Sequence, residues 1–294
     1  MTIPALTAAD EWIKTPDGFE LFTKTWIPTT EPVAQLLLIH GFGEHIGRYN
    51  EFCTFLAEHG IYCHGYDQRG FGQTGKRSQQ IGNNQGYHRA LADINDAIHR
   101  VRNRNIPLFL FGQSMGGGLV MNFAASSEKE FDGLKEVTGI IAASPLVTLS
   151  MPISPLRYYP LQVAARIVPS FVIQAGLDFN AMSHDPKVAE ELESDPLVHD
   201  YATLATVRGF LDAGKNLLTK ADQIHKPILY SHGTADQVNS YEGTKTAYER
   251  TSSSDKSMKS WEGLKHEIHN EKQPEKQQAY EYYLEWIKAR IPSN

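Results

Sequence analysis

The run Pro107-Leu108-Phe109-Leu110-Phe111-Gly112-Gln113-Ser114-Met115-Gly116-Gly117-Gly118 decides how the chain is read. Its first half, PLFLF, is a continuous apolar stretch, as in a strand buried on both faces. Its second half, GQSMG, fits G-x-S-x-G and opens a helix expected over residues 114–126. Strand, tight turn and helix in this order lift a serine to the end of a sheet. Small residues must flank Ser114 for the backbone to pass, and Gly112, Gly116 and Gly117 supply them. The helix N-terminus adds partial positive charge below the serine. A glycine-bearing turn with an incidental serine is the bland alternative, so the surroundings must decide.

Working outward, the same rhythm repeats. Residues 34–40 (AQLLLIH) form another apolar run, and 19–27, 61–67 and 137–143 also read as strands. Between them, 48–59 and 89–103 have helical spacing, the latter with Leu91, Ile94, Ile98 and Val101 on one face. The alternation resumes with a strand at 227–231, a helix at 241–251, a short strand at 259–261 and a helix at 274–289. This pattern predicts an α/β fold: a mostly parallel sheet with helices on both faces.

Residues 147–222 break the rhythm. The part 147–177 has 18 hydrophobic residues in 31, no Asp or Glu, and only Arg157 and Arg166 as charges. The part 178–222 is acidic and helical in character. The expected organisation is therefore a core from 1–146 and 223–294, with 147–222 inserted after a strand.

Composition narrows the classes. The 294 residues are 41% hydrophobic and 21% charged, enough to bury about three-quarters of the unfolded surface without staples. A net charge of −6 leaves no electrostatic footprint for nucleic acid. The first basic residue is Lys14, after Asp10 and Glu11, which does not read as a signal peptide. The uncharged run 137–156 contains Gly139 and three prolines, so it reads as a strand plus loop and not a membrane span. Cys53 and Cys63 match no metal spacing and are expected to be buried, reduced thiols. The expected location is cytoplasmic.

A serine hydroxyl needs a base to attack. On a fold of this kind the partners follow in the order serine, acid, histidine, each beyond a strand. Strand PILYS runs into His232-Gly233-Thr234-Ala235-Asp236, and strand KSW into Glu262-Gly263-Leu264-Lys265-His266. Asp236 and His266 are the expected partners, with His269 the rival base. No acid follows the strand ending at Ala143. An oxyanion hole needs two backbone N–H groups. Met115 supplies one, and Phe42, in the loop His40-Gly41-Phe42-Gly43, is the candidate for the other. His40 reads as a structural loop residue.

Six motifs together carry a resemblance: HGFGEH (40–45), DQRGFG (67–72), GQSMGGG (112–118), SDPL (194–197), HGTAD (232–236) and E-G-x-x-H (262–266). In this order they resemble the monoacylglycerol lipases of the α/β-hydrolase superfamily. The resemblance implies a triad of Ser114, Asp236 and His266, oxyanion donors at Phe42 and Met115, and Glu44 and Arg48 near the glycerol. It also implies that 147–222 is a mobile apolar cap over an acyl tunnel, meeting membranes or lipid droplets. Two departures stand out. Gln113 replaces the usual His of the elbow, and Glu190-Glu191-Leu192-Glu193 lacks the tyrosine that some members place near the glycerol.

The expected chemistry is hydrolysis of monoacylglycerols to glycerol and fatty acid through an acyl-enzyme on Ser114, with no metal or organic cofactor. The small-molecule partner is the lipid substrate. A broader carboxylesterase or lysophospholipase is the alternative on the same fold. A non-catalytic lipid-binding protein is the alternative of another class, although such proteins commonly lose a triad member and none is missing here. A carboxylate nucleophile, as dehalogenases and epoxide hydrolases need, is excluded by Ser114.

Overall fold

The computed structural model describes residues 7–292. In chain order the strands are β1 (Thr7–Lys14), β2 (Glu20–Ile27), β3 (Ala34–Ile39), β4 (Ile61–Tyr66), β5 (Leu108–Gln113), β6 (Val137–Ala143), β7 (Val172–Gln174), β8 (Tyr201–Thr203), β9 (Ile228–Gly233) and β10 (Lys256–Trp261). The α-helices are α1 (Asn50–Glu58), α2 (Gly72–Ser78), α3 (Tyr87–Val101), α4 (Met115–Ala124), α5 (Pro155–Ile167), α6 (Pro186–Ser194), α7 (Leu204–Lys220), α8 (Tyr241–Arg250) and α9 (Glu275–Lys288).

Eight strands make one sheet in the order β1-β2-β4-β3-β5-β6-β9-β10. From β4 to β10 every pairing is parallel, and β1 and β2 add an antiparallel edge. The apolar runs of the central strands follow from their two buried faces. Along β3, Leu37 and Ile39 join one core while Leu36 and Leu38 join the other; along β5, Leu110 and Phe111 divide the same way. One core is closed by α3, α4 and α7 through Ile94, Leu119 and Phe210. The other is closed by α1 and α9 through Phe52, Leu56, Tyr280 and Tyr283. Each fully buried side chain of this size contributes roughly 1.5–3 kcal/mol.

This sheet order fixes where chemistry can occur. The chain passes from β3 to β4 on one side and to β5 on the other, so a crevice opens where the order reverses, beyond the carboxyl ends of the strands. The loops after β3, β5, β6, β9 and β10 all leave from that edge.

Residues 144–227 lie outside the eight-stranded sheet and carry α5, α6, α7 and the small antiparallel pair β7-β8. The uncharged stretch 137–156 resolves into β6 and a loop that ends where Pro155 opens α5. Among the described residues no helix is long and apolar enough to cross a membrane. Cys53 and Cys63 are free and buried.

Candidate active site

Strain marks the turn after β5. Ser114 sits at φ 55°, ψ −116°, a conformation that costs a non-glycine residue of order 1–3 kcal/mol. Its neighbours hold it there. Ser114 N–H donates to Ala143 O at 2.9 Å, and its carbonyl accepts from Leu146 N at 2.8 Å and Gly118 N at 3.0 Å. The glycines are sterically required: a Cβ at Gly116 would collide with the Ile39 carbonyl, and one at Gly112 with the Gly116 carbonyl.

Asp236 lies three residues past β9, and His266 lies in the loop past β10. Their side chains meet at 2.7 Å, His266 Nδ1 to Asp236 Oδ2. The carboxylate is saturated. Oδ2 also accepts from His232 Nε2 at 2.9 Å, and Oδ1 accepts from the backbone N–H groups of Val238 (2.8 Å) and Asn239 (3.0 Å). Thr244 Oγ1, 2.8 Å from His232 Nδ1, fixes the far side of that second imidazole. Burial opposes the charge on Asp236, but the two imidazoles outweigh it and hold the carboxyl well below its usual range. Burial likewise opposes charge on His266, yet the Asp236 carboxylate raises its pKa above the ordinary value of 6.5.

Ser114 and His266 line one cavity of about 310 Å³. Asn239 Nδ2 donates to Ser114 Oγ at 3.4 Å and to Ser144 O at 2.8 Å. Among the described residues, neither Phe42 N–H nor Met115 N–H donates to a protein acceptor. The rival His269 does not line the cavity. It is buried, stacks on Tyr49 at 4.9 Å, and burial pushes its pKa down to about 4. His40 is also buried and pushed down to about 4; its Nε2 accepts from Gln68 N–H and its Nδ1 donates to Gly41 O.

One end of the cavity is polar. Arg48 binds Glu267 through two nitrogens (2.8 and 2.6 Å) and Glu44 at 2.6 Å. Glu44 also accepts from Gly41 N–H at 2.6 Å and the Tyr49 hydroxyl at 2.7 Å. Burial opposes ionisation of Glu267, but Arg48 overrides it and lowers its pKa to about 2. Glu44 and Arg48 therefore face the cavity as members of an internal ion cluster.

The other walls are apolar, built from Leu149, Ile153, Leu161, Leu177, Phe210 and Val238 among others. Leu149 and Ile153 thus point inward. Leu156 is 89% exposed, and Met151, Tyr159, Ile167 and Phe171 are exposed with it. Sequence reasoning did not single out His232, Asn239 or Glu267 as site residues. His232 lies inside the HGTAD motif and was within reach; the other two depend on how their loops turn. Gln113, the departure at the elbow, uses its side chain to bond His266 O at 3.1 Å. Among the described residues no cluster of three His, Cys, Asp or Glu side chains is placed to hold a metal ion.

The strand order, the helices on both faces and the serine turn define an α/β-hydrolase. More narrowly, the chain belongs to the hydrolase family described as serine aminopeptidase, S33, whose model matches residues 30–273. It is 32% identical over 272 residues to a putative monoglyceride lipase of Schizosaccharomyces pombe, covering 91% of this chain and 71% of that one. It is 27% identical to a monoacylglycerol lipase of Mycolicibacterium smegmatis, covering 93% and 95%. A monoglyceride lipase structure from Saccharomyces cerevisiae, solved with a substrate analog, superposes with a TM-score of 0.86 over 100% of this chain and 98% of that one. At 23% identity that likeness concerns the fold.

Proposed function

We propose that the chain hydrolyses monoacylglycerols to glycerol and free fatty acid through an acyl-enzyme on Ser114. The observation that carries this reading is the cavity, apolar along its walls and polar at one end, with Ser114 on its surface. An acyl chain suits the walls and a small polyol the polar end. The names of the relatives point the same way.

In this reading His266 takes the proton from Ser114 Oγ as Oγ bonds to the ester carbon. Asp236 holds the imidazole in the tautomer that accepts at Nε2 and stabilises the imidazolium. The oxyanion rests on Phe42 N–H and Met115 N–H. The carbon–oxygen bond to glycerol breaks as His266 returns the proton to the leaving alcohol. Water then attacks the acyl-enzyme by the same route, and the fatty acid leaves.

Residues 147–222 act in this reading as a cap over the acyl cavity. The exposed Leu156, Ile167 and Phe171, with Arg157 and Arg166 beside them, rest on a membrane or lipid-droplet surface from which substrate enters.

The test combines a fluorophosphonate probe with a substrate series. Labelling is expected on Ser114 alone, and Ser114→Ala is expected to lower turnover by ~10³-fold or more. Near-normal hydrolysis by folded Ser114→Ala would remove the nucleophile assignment. Equal kcat/KM on short acetate esters and long monoacylglycerols would favour the broader carboxylesterase.

A further inference from the structure

Asp195, from the SDPL motif, and His45, from the HGFGEH motif, meet across the crevice: His45 Nε2 donates to Asp195 Oδ2 at 2.8 Å. Both ends of this contact are fixed locally. Asp195 Oδ1 accepts from Leu197 N–H at 2.8 Å, and His45 Nδ1 accepts from Gly47 N–H at 3.2 Å, so the proton of the imidazole is on Nε2. Four residues on, His199 N–H donates to Gly43 O at 2.9 Å. The approach is close: Gly43 has φ 76°, and a Cβ there would strike the His199 carbonyl. The His199 ring stacks on Phe71 at 5.4 Å, and Phe71 meets the Phe42 ring edge-on at 5.4 Å. Phe42 is thus held through its ring, and the next residue, Gly43, through its carbonyl.

We infer that Asp195, His45 and His199 are positioning residues for the oxyanion loop: residues 195–199 hold the Phe42–Gly43 backbone so that Phe42 N–H stays aimed at the developing oxyanion. This rests on the reading of Phe42 N–H as an oxyanion donor. The sensitivity is physical. Removing an oxyanion donor outright costs roughly 10²–10³ in kcat, and a displacement of ~1 Å at a reacting centre costs ~10²-fold. Residues 195–199 then belong to the catalytic half of the molecule, although they come from the stretch between β6 and β9.

The experiment compares 4-nitrophenyl acetate, which needs no acyl cavity, with 4-nitrophenyl decanoate. Asp195→Ala is expected to lower kcat by roughly 10- to 100-fold on both esters, with KM within about twofold of the parent. Asp195→Asn keeps an oxygen for Leu197 N–H but turns its amide nitrogen against His45 Nε2–H, so it is expected to lower kcat as Asp195→Ala does. His45→Phe keeps a ring without the donor and should reproduce the loss, which provides a reading if Asp195→Ala does not fold. In the double variant the two losses should not add, because they break one contact. Loss on the decanoate alone, a pure KM effect, or additive losses would overturn the inference. Ser114→Ala is the control. If it is inactive while Asp195→Ala affects only the decanoate, this inference fails and the serine mechanism stands. If it remains active, the mechanism fails first.

Discussion

Replacing Asp236 by Asn tests the catalytic reading at its most constrained atom. Oδ1 of Asp236 accepts two backbone N–H groups, at 2.8 and 3.0 Å. The new amide must keep its oxygen there, because an NH2 group would face two donors. Its nitrogen is then forced towards His266 Nδ1 and His232 Nε2, both of which donate in the parent. His266 can accept at Nδ1 only by moving its proton to Nε2, and an Nε2–H cannot take a proton from Ser114. The charge-assisted hydrogen bond, worth about 1.5–3 kcal/mol, is lost as well. In the chymotrypsin-type triad the same exchange lowers kcat by ~10⁴. We expect a fall of roughly 10³–10⁴ here, or about 4–5.5 kcal/mol at ~1.36 kcal/mol per tenfold.

The assay for this variant is kcat/KM on a water-soluble ester from pH 5 to 10, normalised by active-site titration. The sign of the pH effect is a second readout. In the parent His266 must be neutral to act, so activity rises with pH through a pKa held above 6.5 by Asp236. Without the carboxylate, burial is the dominant influence and disfavours the imidazolium. The acid limb of the residual activity should therefore move to lower pH. A folded Asp236→Asn within tenfold of the parent, or with its acid limb unmoved, would refute the assignment.

The remaining predictions concern what surrounds the triad. Arg48→Met should leave Glu44 and Glu267 buried without a cation and cost about 3–5 kcal/mol in chemical denaturation; adding Glu267→Gln should recover part of it. Gln113→Leu should leave His266 O without its partner and lower stability by about 1–3 kcal/mol, seen as a shift of the urea midpoint at constant m. Changing Leu156, Ile167 and Phe171 to Ser should weaken flotation with anionic vesicles, while hydrolysis of a water-soluble ester stays within about twofold. Unchanged flotation by the folded triple variant would count against the lipid-facing role.

Legibility in the sequence followed burial. The strand Val137–Ala143 was expected at those limits and Leu108–Gln113 from its apolar run PLFLF, because strands buried on both faces show as apolar runs bounded by turns. β1 escaped notice: it is an edge strand carrying Asp10, Glu11 and Lys14, and only its pairing with β2 defines it. β10 was expected only over its last three residues, because Lys256, Ser257, Lys259 and Ser260 leave Met258 as the single apolar residue before Trp261. α2 was missed because Gly72 and Gly75 suppress its propensity. Ser114, Asp236 and His266 were each named from their strand ends. Which neighbours would touch them was not readable. Glu267 meets Arg48 across 219 positions, a pairing that only the closed sheet creates. The inward turn of Leu149 and Ile153 and the outward turn of Leu156 are likewise decided by the packing of α5 and the loop before it.

The distribution of satisfied and unsatisfied groups explains why this edge of the sheet can be reactive without being loose. The charges on the cavity wall and behind it are already partnered: Asp236 by four donors, Glu267 by Arg48 and Asn270, Glu44 by Arg48, Tyr49 and Gly41. Such groups need no reorganisation when charge moves nearby, which is the condition for electrostatic stabilisation of a transition state. The N–H groups of Phe42 and Met115 lack a protein acceptor among the described residues, and both residues line the same cavity as the strained Ser114. In the proposed mechanism an ester carbonyl that becomes an oxyanion there meets these two donors, one in the loop after β3 and one in the first turn of α4. The strain at Ser114 is sustained by the same packing, since the Gly116 position that admits the turn is the one pressed against the end of β3. Loosening β3, the turn or residues 195–199 should therefore degrade one property, the aim of two N–H groups, by three separate routes.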